Sequence, residues 1–140
     1  MPKFIVAAIV IAGLAFSLFS IFYSPGLPSY TITPDSLTIH DRFYPVTVKA
    51  ADVDVVHIRI VDVGSDPDWR PTARTNGFAN AHYHSGLFRV ANGQTVHLYR
   101  ADGKLLVLLP AIGNAHAVLL QTADPRKFVD ELRQKWSVRS

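Results

Sequence analysis

The sequence predicts a mainly β domain, a barrel or roll of about seven or eight short antiparallel strands capped by a C-terminal α-helix and preceded by one transmembrane helix. Three observations carry this expectation. Residues 4–23 read FIVAAIVIAGLAFSLFSIFY, an apolar run without a charge. From Ser29 onward, short runs of alternating hydrophobicity are separated by turn residues. After Asp124 the apolar period changes from that of a strand to that of a helix.

The N-terminal run comes first. Twenty residues at about 1.5 Å of rise span about 30 Å, the thickness of a bilayer core. Its polar interruptions are Ser17 and Ser20, whose hydroxyls can bond back to helix carbonyls. Phe4, Ile5, Ile9, Leu14, Phe19 and Phe22 are the expected bilayer-facing anchors. A cleaved signal peptide shares the leading Lys3 and the apolar start. However, the run exceeds the usual apolar core of such peptides, roughly 7–15 residues, and Ser24-Pro25-Gly26-Leu27-Pro28 lacks a small-x-small cleavage pattern. The favoured division is therefore an uncleaved anchor over 1–23, a linker over 24–29 and a domain over 30–137. Pro25, Gly26 and Pro28 stop the helix and give a short stiff spacer. Lys3 precedes the helix and no base follows it until Arg42. The positive-inside rule then puts the N-terminus in the cytoplasm and the domain outside the cell membrane. Ala7, Ala8, Ala12, Gly13 and Ala15 are small enough for close helix packing within the bilayer.

Charge excludes one broad class of partner. Fourteen Lys and Arg less Lys3 leave 13 bases beyond the anchor against 11 acids. A surplus of two does not suggest nucleic-acid binding. The chain has no cysteine, which excludes disulfides, thiolate metal sites, Fe–S clusters and a cysteine nucleophile.

Within the domain, Tyr30–Thr33 and Leu37–His40 alternate around Pro34-Asp35-Ser36 and predict a hairpin. Phe43–Val48 follows the turn Asp41-Arg42 as a third strand. Val53–Val63 is the longest strand candidate, with Val56, Ile58 and Ile60 on its buried face and His57 and Arg59 on the wet one. Leu87–Val90, Gln94–Arg100 and Lys104–Leu109 are joined by Asn92-Gly93 and Asp102-Gly103, dipeptides suited to type I′ turns, and predict a meander. Ala115–Gln121 adds a strand after Gly113-Asn114. Asp124-Pro125 then reads as an N-cap with proline at the first helical position. Phe128, Val129, Leu132 and Trp136 form one apolar stripe that must cover an open face of the sheet.

Gly64–Ser85 shows no sustained period and is expected to be a long, aromatic-rich loop. Two readings apply to it. Trp69, Arg74, Phe78 and Tyr83 suit an exposed interaction surface, since Trp, Tyr and Arg are typical interface anchors. Alternatively, Gly77 and Gly86 serve sharp turns, Tyr83 folds back onto the barrel and Arg74 bonds loop carbonyls. Arg59 and Arg89 are expected to be solvated charges on strands. In a strand, His82 and His84 would point to one side and could chelate a metal, with His57, His97 or His116 approaching as a third ligand. Catalytic motifs are missing: the chain has neither a Gly-x-Ser-x-Gly elbow nor HExxH, and Asp66-Pro67-Asp68 suits a turn. No enzyme activity, resident metal or other cofactor is expected.

Four phrases add a resemblance. Tyr30-Thr-Ile-Thr-Pro-Asp-Ser-Leu-Thr-Ile39, Val46-Thr-Val-Lys-Ala-Ala-Asp-Val53, Arg74-Thr-Asn-Gly77 leading to Tyr83-His-Ser-Gly86-Leu-Phe88, and Thr122-Ala-Asp-Pro-Arg-Lys-Phe128 follow one another in order. Together they resemble the bacterial PH-like (pleckstrin homology-like) domain family, found behind transmembrane helices in bacterial membrane proteins, over about Tyr30 to Trp136. The resemblance implies a PH-like barrel and a binding or assembly module, and no chemistry. Phosphoinositide-binding members of the superfamily carry bases in the loop joining the first two strands. Here that loop is Thr33-Pro34-Asp35-Ser36, acidic and without a base, so the resemblance does not imply phosphoinositide binding. The expected partners are the lipid bilayer, through residues 4–23, and other membrane protein subunits or a second copy of the chain. The alternative is an extracytoplasmic small-ligand or metal receptor using His82 and His84.

Overall fold

The computed structural model describes residues 3–22 and 25–136. Tyr23 and Ser24, at the expected anchor–linker boundary, and Ser137, the expected end of the domain, lie outside the described residues. Helix α1 (Lys3–Phe22) is apolar on every side and none of its residues is buried. It is long and apolar enough to cross a membrane. Ser17 and Ser20 donate their hydroxyls to the carbonyls of Gly13 and Phe16, four residues back, so neither hydroxyl is left unpaired on an apolar helix.

The domain holds two sheets. Strands β1 (Ser29–Ile32), β2 (Ser36–His40) and β3 (Val46–Lys49) pair in sequence as an antiparallel sheet, with Tyr30 opposite Ile39 and Leu37 opposite Val48. The second sheet contains β4 (Arg59–Asp62), β5 (Pro71–Ala79), β6 (His84–Val90), β7 (Thr95–Arg100), β8 (Leu105–Leu109) and β9 (Ala117–Leu120). Its spatial order is β4-β8-β9-β7-β6-β5. Helix α2 (Pro125–Trp136) completes a mainly β, PH-like fold. The nine strands among the described residues slightly exceed the expected number, and the β7–β9 pair is parallel.

Both faces of the central strands are buried, which is why β8 reads Leu-Leu-Val-Leu-Leu and β9 Ala-Val-Leu-Leu without alternation. Tyr99, Val107, Leu109, Val118 and Leu120 share one core with Leu37 and Ile39 of the small sheet and with the α2 stripe Phe128, Val129, Leu132 and Trp136. Leu98, Leu106, Leu108 and Leu119 share a second core with Val61, Val63, Trp69, Phe88 and Val90.

Helix α2 follows its sequence closely. Asp124 accepts from the Lys127 amide at the third helical position, and Pro125 opens the helix where an amide would have no partner. Three side chains then tie α2 down. Arg133 donates to the Ile58 carbonyl, Lys135 to that of Ile32 and the Trp136 indole to that of Thr33. The Phe128 ring meets Tyr30 edge-on at 4.8 Å.

Four strand expectations need correction. Val53–Val63 is not one long strand: two short 3₁₀ turns, Ala50–Asp52 and Val55–His57, precede β4. Val56 is 81% and Ile60 38% exposed, while Ile58, Val61 and Val63 are buried. The expected meander is interrupted because β9 lies between β7 and β8. Accordingly Asp102-Gly103 is not a tight hairpin turn. Its connection passes the end of β9, where the Gln121 side-chain oxygen accepts from the Ala101 and Gly103 amides. At Asn92-Gly93 only Gly93 has positive φ, 91°, so the turn is not type I′. The Gly93 amide bonds the Val90 carbonyl and the Val90 amide bonds that of Gln94, the pattern of a three-residue loop with a glycine bulge.

The fourth correction concerns Gly64–Ser85, which is largely structured. It holds a 3₁₀ turn (Pro67–Trp69) and then β5, the longest strand, on one edge of the sheet. The period is hidden because β5 has register shifts between Pro71 and Ala73 and between Arg74 and Asn76, each of which swaps the outward face. Gly77 and Gly86 do not serve sharp turns either. They face each other across β5 and β6. A Cβ on Gly77 would lie 2.5 Å from the Ser85 carbonyl oxygen, and Gly86 has φ 111° with the Tyr44 ring against it.

Candidate interaction site

Two turns and one helix end meet in a single place. The β2–β3 turn is built on Asp41, whose Oδ2 accepts from the amides of Phe43 and Tyr44 at 3.2 and 2.9 Å. The β5–β6 turn is built on Asn80, whose side-chain oxygen accepts from the amides of His82 and Tyr83 at 2.7 and 2.8 Å. Tyr83 joins the two turns by donating its hydroxyl to Asp41 Oδ1. Asp41 and Tyr83 are both buried, so the carboxylate is desolvated but satisfied by three donors.

Asn80 also reaches α1. Its Nδ2 donates to the Ser20 carbonyl at 2.8 Å, across sixty residues of sequence. Ser20 lies in the last turn of α1, where carbonyls have no partner within the helix. The domain thus supplies a C-terminal cap to the apolar helix. Aromatic rings complete the junction. Phe43 meets Phe19 edge-on at 6.3 Å and lies tilted on Phe78 at 5.8 Å. The Arg42 guanidinium sits 5.7 Å from the Phe19 ring centre and 5.8 Å from that of Phe43. Between them is an open cavity of about 400 Å³ lined by Phe16, Phe19, Phe43, Tyr44, Gly77 and Phe78, with Ser20 at its side. Beneath it the Tyr99 hydroxyl donates to the Tyr44 carbonyl. Burial first, and the Asp41 carboxylate second, push the Tyr99 pKa well above the usual phenol range.

The linker expectation is revised by this contact. The chain turns at Gly26, with φ 77°. The end of α1 therefore rests against the domain, and Pro25–Pro28 does not hold the two apart.

The residues singled out from sequence divide. Phe78 lies in the junction, and Tyr83 is buried directly beneath it, 1% exposed. Trp69, 9% exposed, fills the second core away from the junction. Neither Trp69 nor Tyr83 presents the exposed aromatic face expected of it. Arg74 is exposed on the edge strand, as Arg59 and Arg89 are exposed on β4 and β6. Among the anchors, Phe4, Ile5, Ile9, Leu14, Phe19 and Phe22 are all exposed, and Phe19 alone of these enters the junction. Sequence reading missed Asp41, Arg42, Phe43 and Asn80. The available signal was an Arg-Phe-Tyr triplet in a turn, the first base after the apolar helix.

The histidines do not assemble a metal centre. His82 lies in the turn before β6, so the strand geometry that would align it with His84 is not present. His84 is half-buried with its ring against Phe88 at 5.6 Å; burial, then Arg100, lowers its pKa. His97 pairs with His116 at 5.7 Å, and burial, then His116, lowers the His97 pKa. Among the described residues no group of three His, Cys, Asp or Glu side chains could hold a metal. A larger cavity of about 560 Å³ is lined in part by Asp54, His57, Arg59 and His116. There His57 Nδ1 lies 2.7 Å from Asp54 Oδ2 on an open surface.

A curled β domain with a C-terminal capping helix, behind an apolar helix, defines a PH-like module. The chain matches the family model for the bacterial PH domain over residues 28–136 and belongs to that family. No curated protein and no solved structure gives a match. PH domains are in general binding modules without catalysis, so the domain is an interaction module.

Proposed function

We propose that the chain is a membrane-anchored, non-enzymatic scaffold, an accessory subunit of a membrane protein complex or a homo-oligomer. In this reading α1 spans the cell membrane with its N-terminus in the cytoplasm, and the domain stands on the extracytoplasmic side. The observation that carries the reading is the junction. Asn80 caps the last turn of α1, and Phe43 and Phe78 pack beside Phe19, so the interaction module is held at a fixed attitude to its anchor. A scaffold gains from such a join, because its binding faces stay at a set height above the bilayer. The face open to a partner is the exposed Arg74 edge of β5, available for strand pairing. Lys3 before α1 and Arg42 as the first base after it support the orientation.

Purification of the full chain in mild detergent tests the proposal. Size analysis with mass determination is expected to return a complex or an oligomer that Arg74→Glu weakens. A monomer without partners, at every detergent tried, contradicts it.

A further inference from the structure

The groove between α1 and the domain has walls that belong in two different solvents. One wall is Phe16 and Phe19 of a helix with the length and composition of a membrane span. The other is Phe43, Tyr44 and Phe78 of the domain. Phe16 lies six residues before the end of α1 at Phe22, about 9 Å along the axis at the helical rise. Ser20, the polar side chain at the groove, has its hydroxyl bonded to the Phe16 carbonyl and offers no donor. At the rim the Arg42 guanidinium lies over the Phe19 and Phe43 rings, and no carboxylate is paired with it among the described residues. Asp41, next in sequence, is committed to Tyr83 and two amides.

We propose that this groove seats one phospholipid of the surrounding leaflet, its acyl chain along Phe16, Phe19 and Phe78 and its phosphate on Arg42. The order of chemistry fits a lipid read from tail to head, with apolar rings at depth and one cation where the headgroup begins. A flexible chain suits the lining better than a second helix does. Helices pack closely on small residues, and those of α1 at Ala7, Ala8, Ala12 and Gly13 do not line the groove, which presents large rings instead. The seat is built from the β2–β3 turn, β5 and the end of α1, and the loop Thr33–Ser36 does not line it. The inference rests on α1 being a membrane anchor.

The test uses the full chain in phosphatidylglycerol vesicles whose lipids carry bromine on the first third of the acyl chain, a short-range quencher of tryptophan. Leu14→Trp reports on the helix and Phe78→Trp on the groove. The parent protein gives the background from the buried Trp69 and Trp136. Bromine placed deeper in the chain is expected to quench Leu14→Trp, and shallow bromine is expected to take most of the added emission of Phe78→Trp. Phe43→Trp, on the same groove, repeats the readout if Phe78→Trp does not fold. Arg42→Gln is expected to reduce quenching at Phe78→Trp and leave Leu14→Trp unchanged. Quenching of Leu14→Trp without quenching of either groove reporter overturns the lipid seat while the anchor stands. No quenching at Leu14→Trp overturns the anchor and the seat together. Groove quenching that disappears as the protein-to-lipid ratio rises gives the groove to a second copy of the chain and also overturns the seat.

Discussion

Two helices touch the domain, and they are held by different physics. Helix α2 is amphipathic: Phe128, Val129, Leu132 and Trp136 are buried, and Arg133, Lys135 and Trp136 each bond a carbonyl of the domain. Helix α1 buries none of its residues and is joined by the Asn80–Ser20 bond and the rings around Phe43. The contrast separates a helix that completes a protein core from one that touches the domain only near its C-terminal end. Burial of α2 is part of folding, whereas the domain leaves most of the apolar surface of α1 uncovered.

The largest expected effect lies at α2. Trp136→Ala removes a buried indole and its bond to the Thr33 carbonyl, and is expected to cost about 3–5 kcal/mol in denaturant unfolding of the full chain. A loss under about 1 kcal/mol would mean that α2 is not integral to the core. Tyr83→Phe comes next. It leaves the buried Asp41 carboxylate one donor short and is expected to cost about 1.5–3 kcal/mol. Near-neutral behaviour there would show that the two turns are not linked through this bond.

The third variant isolates the α1 join. Asn80→Asp keeps the acceptor that organises the β5–β6 turn but replaces the donor facing Ser20 with a carboxylate oxygen. Domain stability is expected to change by less than about 1 kcal/mol, while proteolysis at the linker around Gly26 accelerates. Equal damage to the domain core would erase the distinction between the two helices.

The smallest effect is one of pH. His84 and His97 have folded-state pKa values below 6.5, through burial and, respectively, Arg100 and His116. The unfolded chain therefore binds these protons first as pH falls. Their stabilisation is complete above about pH 6.5 and is lost as pH drops from there through the folded-state values. Thermal unfolding between about pH 7 and 5 should show a falling midpoint, and His84→Phe should flatten part of that fall. A midpoint that rises on acidification contradicts the sign.

Much of the fold was legible because it obeys local rules. Asp124-Pro125 and the stripe from Phe128 to Trp136 specify α2, and the alternation around Pro34-Asp35-Ser36 specifies the first hairpin. Residues 53–63 misled because Val56 and Ile60 are apolar yet exposed, so the apparent period of two did not follow burial. The strand order could not be read, since insertion of β9 between β7 and β8 is a long-range choice that leaves no mark at Asp102-Gly103. The site was the least legible part. Asp41 and Asn80 look like ordinary turn residues, and only the third dimension brings them to Tyr83 and Ser20.

Helix α1 and the domain form one docked unit, joined at Asn80 and Phe43. Because the chain has no cysteine, Phe16→Cys combined with Tyr44→Cys, on facing walls of the groove, gives a unique pair and leaves the Phe19, Phe43 and Phe78 rings in place. In native membranes, a short bifunctional maleimide should join the pair within one chain, and adding Asn80→Asp should reduce the yield. Links formed only between chains, or no link at all while both cysteines react singly, would contradict the account.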